Sequence, residues 1–479
     1  MIEKMTNNTG RRSATTRPLT VGMVIMKQWQ FGLVLAALAA VSFGAAPPPS
    51  VHAQPRLQLT QGVIEPIPIA IQDFAGATTA DADLGTRISG VIANNLRRSG
   101  LFAPLDPAAF IDQTTGTQSI PRFGDWRLIG GQALIQGTVE SVLDGAATTS
   151  ADSDQIRVEF RLWDVQGEQQ MIGLALLTPE GNWRRVAHKI SDAIYQRITG
   201  ETGYFDTQIV YVAEEGPLTR RIKRLAIMDQ DGAAHRFLTD GGNDVLSPRF
   251  SPSTREITYL QYVSDDAPPS VYLFDLDTRR RESLGTFQGM TFAPRFAPDG
   301  NQVIMSMSLD GNTEIFSMDL QSRAMTRLTS HPGIDTSPSY APTGDRVVFE
   351  SDRGGTQQLY VMPAAGGEPT RITFGRGRYA QPVWSPRGDL IAFTRIFSGR
   401  FFIGVIQPNG EGERMISSAY QIESPTWSPN GRVLAFYKST PVGDSITRQL
   451  YSIDLTGFNE QWLTTPVDGS DPAWSPLIP

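Results

Sequence analysis

From about residue 245 onward, short apolar runs alternate with polar turns in a rhythm that occurs six times. Each unit opens on Pro, any residue, an aromatic, Ser or Ala, and Pro. The copies are Pro248-Arg249-Phe250-Ser251-Pro252, Pro294-Arg295-Phe296-Ala297-Pro298, Pro338-Ser339-Tyr340-Ala341-Pro342, Pro382-Val383-Trp384-Ser385-Pro386, Pro425-Thr426-Trp427-Ser428-Pro429 and Pro472-Ala473-Trp474-Ser475-Pro476. Their first prolines step by 46, 44, 44, 43 and 47 residues. In four copies Gly follows two residues after the second Pro (Gly300, Gly344, Gly388, Gly431), where a tight turn can use positive φ. An apolar pair then recurs two residues apart: Ile257/Tyr259, Val303/Met305, Val347/Phe349, Ile391/Phe393 and Leu434/Phe436. Residues two apart share one face of a strand, so these pairs are expected to pack between neighbouring units. Third strands are expected at 271–275, 314–319, 358–362, 402–406 and 449–454, and fourth strands at 326–329, 370–373, 414–417 and 461–464. Four strands at a period in the forties predict a propeller blade, and six copies predict six blades. The repeated aromatics then read as blade core, not as a stacking platform.

The sixth copy has a first strand and nothing after it. Residues 209–211 carry the second-strand pattern without a motif before them, and 224–229 and 236–239 follow as third and fourth strands. One blade is therefore expected to be shared between the two ends, closing the ring and removing its free edges.

Upstream the rhythm changes. Residues 67–74 and 133–139 read as strands, and 156–165 with 170–177 as a hairpin. Leu84, Ile88, Val91, Ile92 and Leu96 fall at helical spacing and Gly100 stops the run. Trp183, Val186, Ala187, Ile190, Ile194 and Ile198 make a second amphipathic helix, on which His188 reads as a solvated side chain near the polar face. The expectation is an α+β two-domain protein. A small α/β domain spans 67–200, a linker 201–206, and a six-bladed β-propeller closed by its C-terminal strand 207–479.

The first 53 residues read as a signal peptide with an extended polar start. Lys27 precedes an apolar run over 31–43, and Val51-His52-Ala53 ends the segment like a small-x-small cleavage site, placing the cut between Ala53 and Gln54. The run is too short to span a bilayer comfortably, and no other stretch is a candidate span. Over 54–66, Leu57 and Leu59 alternate with Arg56, Gln58 and Thr60, and Gly62 follows. This is either a frayed end or a strand waiting for a sheet edge.

Composition narrows the chemistry. The 479 residues include no Cys, which removes disulfides and thiol chemistry. Losing five Lys/Arg and one Glu with residues 1–53 takes the formal charge from −7 to −11. An acidic chain without a basic stripe argues against nucleic acid as a partner. None of the four His residues forms a close metal-ligand spacing, and no G-x-S-x-G elbow occurs. Asp352 and Asp471 are the carboxylates that could meet a channel ion, and Tyr379 and Tyr420 the aromatics that could stack on a sugar. The competing reading is a periplasmic hydrolase or lyase acting in the central channel.

Several stretches together resemble the TolB family of the Tol-Pal system. They are Asn94-Asn95-Leu96-Arg97-Arg98-Ser99-Gly100-Leu101-Phe102, Thr336-Ser337-Pro338-Ser339-Tyr340-Ala341-Pro342, Glu350-Ser351-Asp352-Arg353-Gly354-Gly355 and the final Pro-Ala-Trp-Ser-Pro. The order of signal, short tail, two-helix domain and propeller is also similar. The resemblance implies a periplasmic, non-enzymatic, monomeric interaction protein without cofactor or metal. It implies binding of the Pal lipoprotein at one propeller mouth and of the C-terminal domain of TolA by the N-terminal segment, in support of envelope integrity and outer-membrane constriction at division. Carried onto this sequence, the Pal-contacting positions are Met290, Ala293 and Thr336, with Phe292, Asp335, Tyr379 and Glu423 beside them. The TolA-binding residues are Gln54, Arg56, Leu57, Gln58, Leu59, Thr60 and Gly62.

Overall fold

The computed structural model describes residues 65–142, 155–264, 267–287, 291–309, 311–443 and 445–478. The expected signal segment, its Ala53/Gln54 cleavage point and the tail at 54–62 lie outside them.

Six four-stranded antiparallel sheets form the propeller. Five are contiguous in sequence, and their innermost strands are Asp244–Phe250, Thr291–Phe296, Asp335–Tyr340, Arg378–Trp384 and Gln421–Trp427. The sixth is composite: Asp468–Trp474 is its inner strand, beside Gln208–Glu215, Ile222–Asp229 and Arg236–Phe237. Gly469 faces Ala213 and Trp474 faces Ile209 across that seam. Both members of all five expected apolar pairs are fully buried, as are Ile209 and Tyr211 of the composite blade.

The motif has a local explanation. In every blade the register between first and second strands shifts around the first Pro, between Leu246/Arg249, Phe292/Arg295, Thr336/Ser339, Ala380/Val383, Glu423/Thr426 and Ser470/Ala473. A bulge leaves one residue outside the ladder, and Pro, lacking an N–H, fits where no ladder bond is made. The second Pro starts a turn closed by Gly, as in the 2.9 Å bonds from Gly300 N to Ala297 O and from Gly344 N to Ala341 O.

The N-terminal part is a mixed sheet in the order Phe102–Pro104, Ile67–Ile71, Ala133–Val142, Gln155–Asp164, Gln169–Pro179, parallel over the first three strands and antiparallel after. Helices α1 (Thr79–Arg98) and α3 (Trp183–Thr199) bury Ile88, Ile92, Ile190 and Ile194 in one core with Ile69 and Ile135. A short helix, α2 (Phe123–Leu128), which apolar periodicity does not announce, packs Trp126 with Leu134 and Trp163 in a second cluster.

That first core does not end at the domain boundary. It runs on through Tyr204 and Phe205 into Tyr211, Met228, Leu463 and Trp474 of the propeller. Polar contacts fix the same joint. Asn459 and Gln461 donate to the carbonyl of Arg98 at the end of α1 (2.6 and 3.2 Å), and Arg185 donates to the carbonyl of Ile478 (2.9 Å). His188 is buried rather than solvated. Its Nδ1 lies 2.9 Å from Asn95 Nδ2 and its Nε2 3.6 Å from Asp229. The helix face that is polar within the α/β domain is the face the propeller covers, so amphipathicity alone misplaces it.

Asp192 on α3 shapes the linker. It accepts from the N–H groups of Phe205 (2.7 Å) and Asp206 (3.0 Å). Gly203 must lack a side chain, because a Cβ there would stand 2.1 Å from Asp192 Oδ1. Burial is the largest influence on this carboxyl and pushes it up to about 6 from an ordinary 3.8, against the two N–H donors that pull it down. A carboxyl that holds its proton more tightly when folded makes stability fall as pH rises through the interval between those values. The unfolding free energy of the wild type minus that of D192N should therefore drop by up to about 3 kcal/mol from pH ~4 to pH ~7. Urea titrations of both proteins measure it, and a pH-independent difference contradicts the assignment.

Deleting residues 471–479 tests ring closure. It removes most of an inner strand and Trp474, and burying one such ring is worth about 3–5 kcal/mol of a typical stability of about 5–15 kcal/mol. The truncated chain should aggregate or lose its cooperative melt. A soluble product with an unchanged melting temperature rules out the shared blade.

Candidate interaction surface

The six inner strands line the channel, and their bulges fall at the same level. Ser247, Ser337, Gln381, Ser424 and Asp471, each just before the first Pro of a motif, have φ between 46 and 56°. Non-Gly residues adopt this conformation rarely and at a cost of about 1–3 kcal/mol each. In four of them it aims the N–H group sideways at the preceding blade. Ser337 N donates to Ser306 Oγ (3.1 Å), Gln381 N to Glu350 Oε2 (2.8 Å), Ser424 N to Gln381 Oε1 (2.8 Å) and Ser247 N to Asp471 Oδ2 (3.4 Å). Ser424 Oγ adds a 2.7 Å bond to Asp471 Oδ1. A belt of polar bonds thus stitches blade to blade around the channel. No glycine marks these positions in the sequence; the fixed proline one residue later is the only sign of them.

Loops entering the inner strands converge on the mouth beside this belt. Thr336 is buried and donates to Glu350, which also accepts from Ser337 Oγ at 3.1 Å. Burial pushes the Glu350 carboxyl up, opposed by these donors. Asp335 is fully buried and pairs with Arg353 Nη2 at 2.7 Å. Burial raises its carboxyl too, while Arg353 pulls it back. Glu423 is half-buried and accepts from Tyr437 Oη at 2.6 Å. Tyr379 is fully buried, with its hydroxyl on Glu413 at 2.8 Å, so it offers no face to a sugar. Tyr420 is exposed. Thr291–Phe296 places Phe292 and Ala293 at the corresponding level of the second blade, with Phe292 opposite Ser306; their side chains, and Met290, lie outside what is described. Asp335, Thr336 and Glu423 therefore share the entry ends of their inner strands, and Tyr379 is a supporting core residue behind them.

Asp352 and Asp471 do not gather into a cation site. Asp352 Oδ1 accepts from Ile334 N at 2.8 Å, and Asp471 serves the belt. Among the described residues, metal-ligand spacing occurs at His188, Asp229 and Asp231. There Arg184 already holds both carboxylates, at 3.3 and 2.6 Å.

Comparison with known proteins decides the family. Residues 195–478 match the TolB beta propeller domain and residues 55–171 the TolB amino-terminal domain. The chain is 56% identical to the Tol-Pal system protein TolB of Paramagnetospirillum magneticum (strain ATCC 700264 / AMB-1) over 449 residues, covering 93% of this chain and 98% of that relative. The chain belongs to the TolB family of the Tol-Pal system. Among solved structures, TolB from Acinetobacter baumannii superimposes with a TM-score of 0.73 at 29% identity, covering 88% of this chain and 99% of that one. Both halves of the TolB architecture, the amino-terminal domain and the six-bladed ring, are thus present in one chain. No helix among the described residues is long and apolar enough to cross a membrane.

The belt generates a prediction. Glu350→Ala leaves the N–H of Gln381 and the hydroxyls of Thr336 and Ser337 without their acceptor. Each orphaned buried group costs about 1–3 kcal/mol, so chemical denaturation should show a loss of at least that size. Glu350→Gln, which keeps an acceptor and sheds a buried charge, should lose less. Equal effects of the two variants argue against the hydrogen-bonded belt.

Proposed function

We propose that this protein is a periplasmic, non-enzymatic connector of the Tol-Pal system that acts as a monomer. It grips Pal at the channel mouth where the inner strands begin and engages the C-terminal domain of TolA through residues 54–62. In this role it supports envelope integrity and outer-membrane constriction during division. Family membership over nearly the whole chain is the observation that carries the reading. The mouth adds a physical reason. Loops from six blades converge on one surface, so a partner can be held from all sides, and the bonded belt beneath keeps that surface pre-organised, which lowers the cost of ordering it on binding. Thr336 stands at this level with its hydroxyl hydrogen given to Glu350, and Met290 and Ala293 are assigned apolar contact with the partner. For the tail, alternating Leu57 and Leu59 suit a strand added to a sheet edge, with main-chain bonds giving affinity and side-chain pockets giving specificity. The apolar segment over 31–43 supports export.

Two interventions test the two contacts separately. Ala293→Arg and Thr336→Arg each set an unpaired charge against the partner, which costs several kcal/mol once desolvated. Calorimetric titration with purified Pal should show binding weakened by roughly a hundredfold or more, with circular dichroism confirming that each variant is folded. Undiminished binding by both means that Pal docks elsewhere. Removing residues 54–62 should abolish TolA binding and leave the melting temperature unchanged. TolA binding by the tail-less protein rejects the tail assignment.

A further inference from the structure

The channel's other end has different chemistry. A cavity of about 410 Å³ opens there, lined by motif residues of all six blades, including Arg249, Arg295, Ser339, Trp384, Thr426 and Ala473. The two arginines stand two residues beyond the bulge level in their strands, so they sit about 7 Å further along the channel. Among the described residues the Arg295 side chain makes no hydrogen bond and no ion pair, and its Nε is buried without an acceptor. Arg249 spends one N–H on the carbonyl of Pro248 (2.7 Å), and its Nε is likewise buried and unpaired. Burial and the adjacent Arg249 charge hold the Arg295 guanidinium well below the usual arginine range. Burial lowers Arg249 as well, and Asp471, the carboxylate that offsets this in part, makes no ion pair with it; its oxygens accept from Ser424 and Ser247.

Two adjacent guanidiniums, neither in ion-pair contact with a carboxylate among the described residues, are an arrangement that folding alone does not favour, because each buried charge needs a counter-charge to offset its desolvation. The cavity also holds donors. Ser339 Oγ accepts from Trp384 N and Thr426 Oγ1 from Trp474 N, both at 3.2 Å. Each hydroxyl can therefore still give its hydrogen to a ligand. We propose that this end of the channel binds a doubly charged oxyanion, a phosphate or a small phosphate monoester, clamped by Arg249 and Arg295 with the hydroxyls of Ser339 and Thr426 as further donors. Charge favours the dianion: neither guanidinium has a carboxylate in ion-pair contact, so a single negative charge leaves one of them without a contacting counter-charge. Guanidinium forks match phosphate oxygens in pairs. The site is separate from the mouth assigned to Pal and does not depend on that assignment.

Isothermal titration of the exported protein with inorganic phosphate, with sodium chloride at matched ionic strength as control, tests this. Saturable binding is expected, together with a melting temperature that rises with phosphate. Arg295→Gln and Arg249→Gln should each weaken binding by roughly tenfold or more. Without phosphate, Arg295→Gln should melt higher than wild type, because it removes an uncompensated buried charge. Both variants should bind Pal as wild type does, which separates a failure here from a failure of the Pal reading. Absence of saturable phosphate binding overturns the proposal, as does unchanged affinity in both variants. Succinate binding more tightly than phosphate overturns the phosphate assignment.

Discussion

One backbone hydrogen bond is repeated in every blade and shows what the ring depends on. The residue between the aromatic and the second Pro donates its N–H to the carbonyl at or just before the start of the second strand: Ser251 to Glu256, Ala297 to Gln302, Ala341 to Arg346, Ser385 to Leu390 and Ser428 to Val433. In the sixth blade Ser475 makes the same bond to Gln208 at 2.8 Å, across 267 residues of sequence. Five blades can form this contact locally. The sixth requires the two ends of the ring to meet, and the α/β domain is fastened at the same place. Trp474 donates its indole N–H to Thr207 at 2.8 Å and packs edge-on to Tyr204, and the N–H of Ile478 bonds the carbonyl of Asp206. Closing the ring and docking the first domain are thus one structural event. The shared core through Tyr204, Tyr211 and Trp474 is its apolar half.

Along the channel the same bulge does two things. It gives the first Pro of each motif a position without a ladder bond, and it turns the preceding residue toward its neighbour. Strain at five described positions is offset by bonds that run between blades, so the blades are tied near the axis by polar contacts and further out by apolar packing. The channel is polarised as a result. Carboxylates and hydroxyls gather where the inner strands begin, and Arg249 and Arg295 stand where they end.

What could be read from the sequence follows from which forces are local. Ile257/Tyr259 and its counterparts announce themselves because a strand buried between blades must repeat every second residue. Gly300 and Gly344 mark turns because little else tolerates their φ of 76 and 74°. The belt was not legible, since Ser, Gln and Asp at positive φ carry no compositional mark. The burial of His188 and Asn95 was hidden for a different reason. They occupy a helix face that becomes interior only when Gln230 of the composite blade arrives, donating to Asn95 at 2.9 Å. Tyr379 looked like a surface aromatic because its motif neighbours lie at the mouth; its hydroxyl turns inward to Glu413.

The split blade also sets an order in time. Chains are synthesised and begin to fold from the N-terminus. The strands Gln208–Glu215 and Ile222–Asp229 emerge, from synthesis or from export, long before their inner partner Asp468–Trp474. Until that strand exists, Gln208–Glu215 is an unpaired edge, and the core shared with α3 lacks Trp474. Contacts this distant in sequence form slowly, because the intervening loop must be closed before they are rewarded. The last strand of the ring to be made therefore acts as a clasp on the calendar of folding: no amount of early order in the first five blades completes the protein before it arrives.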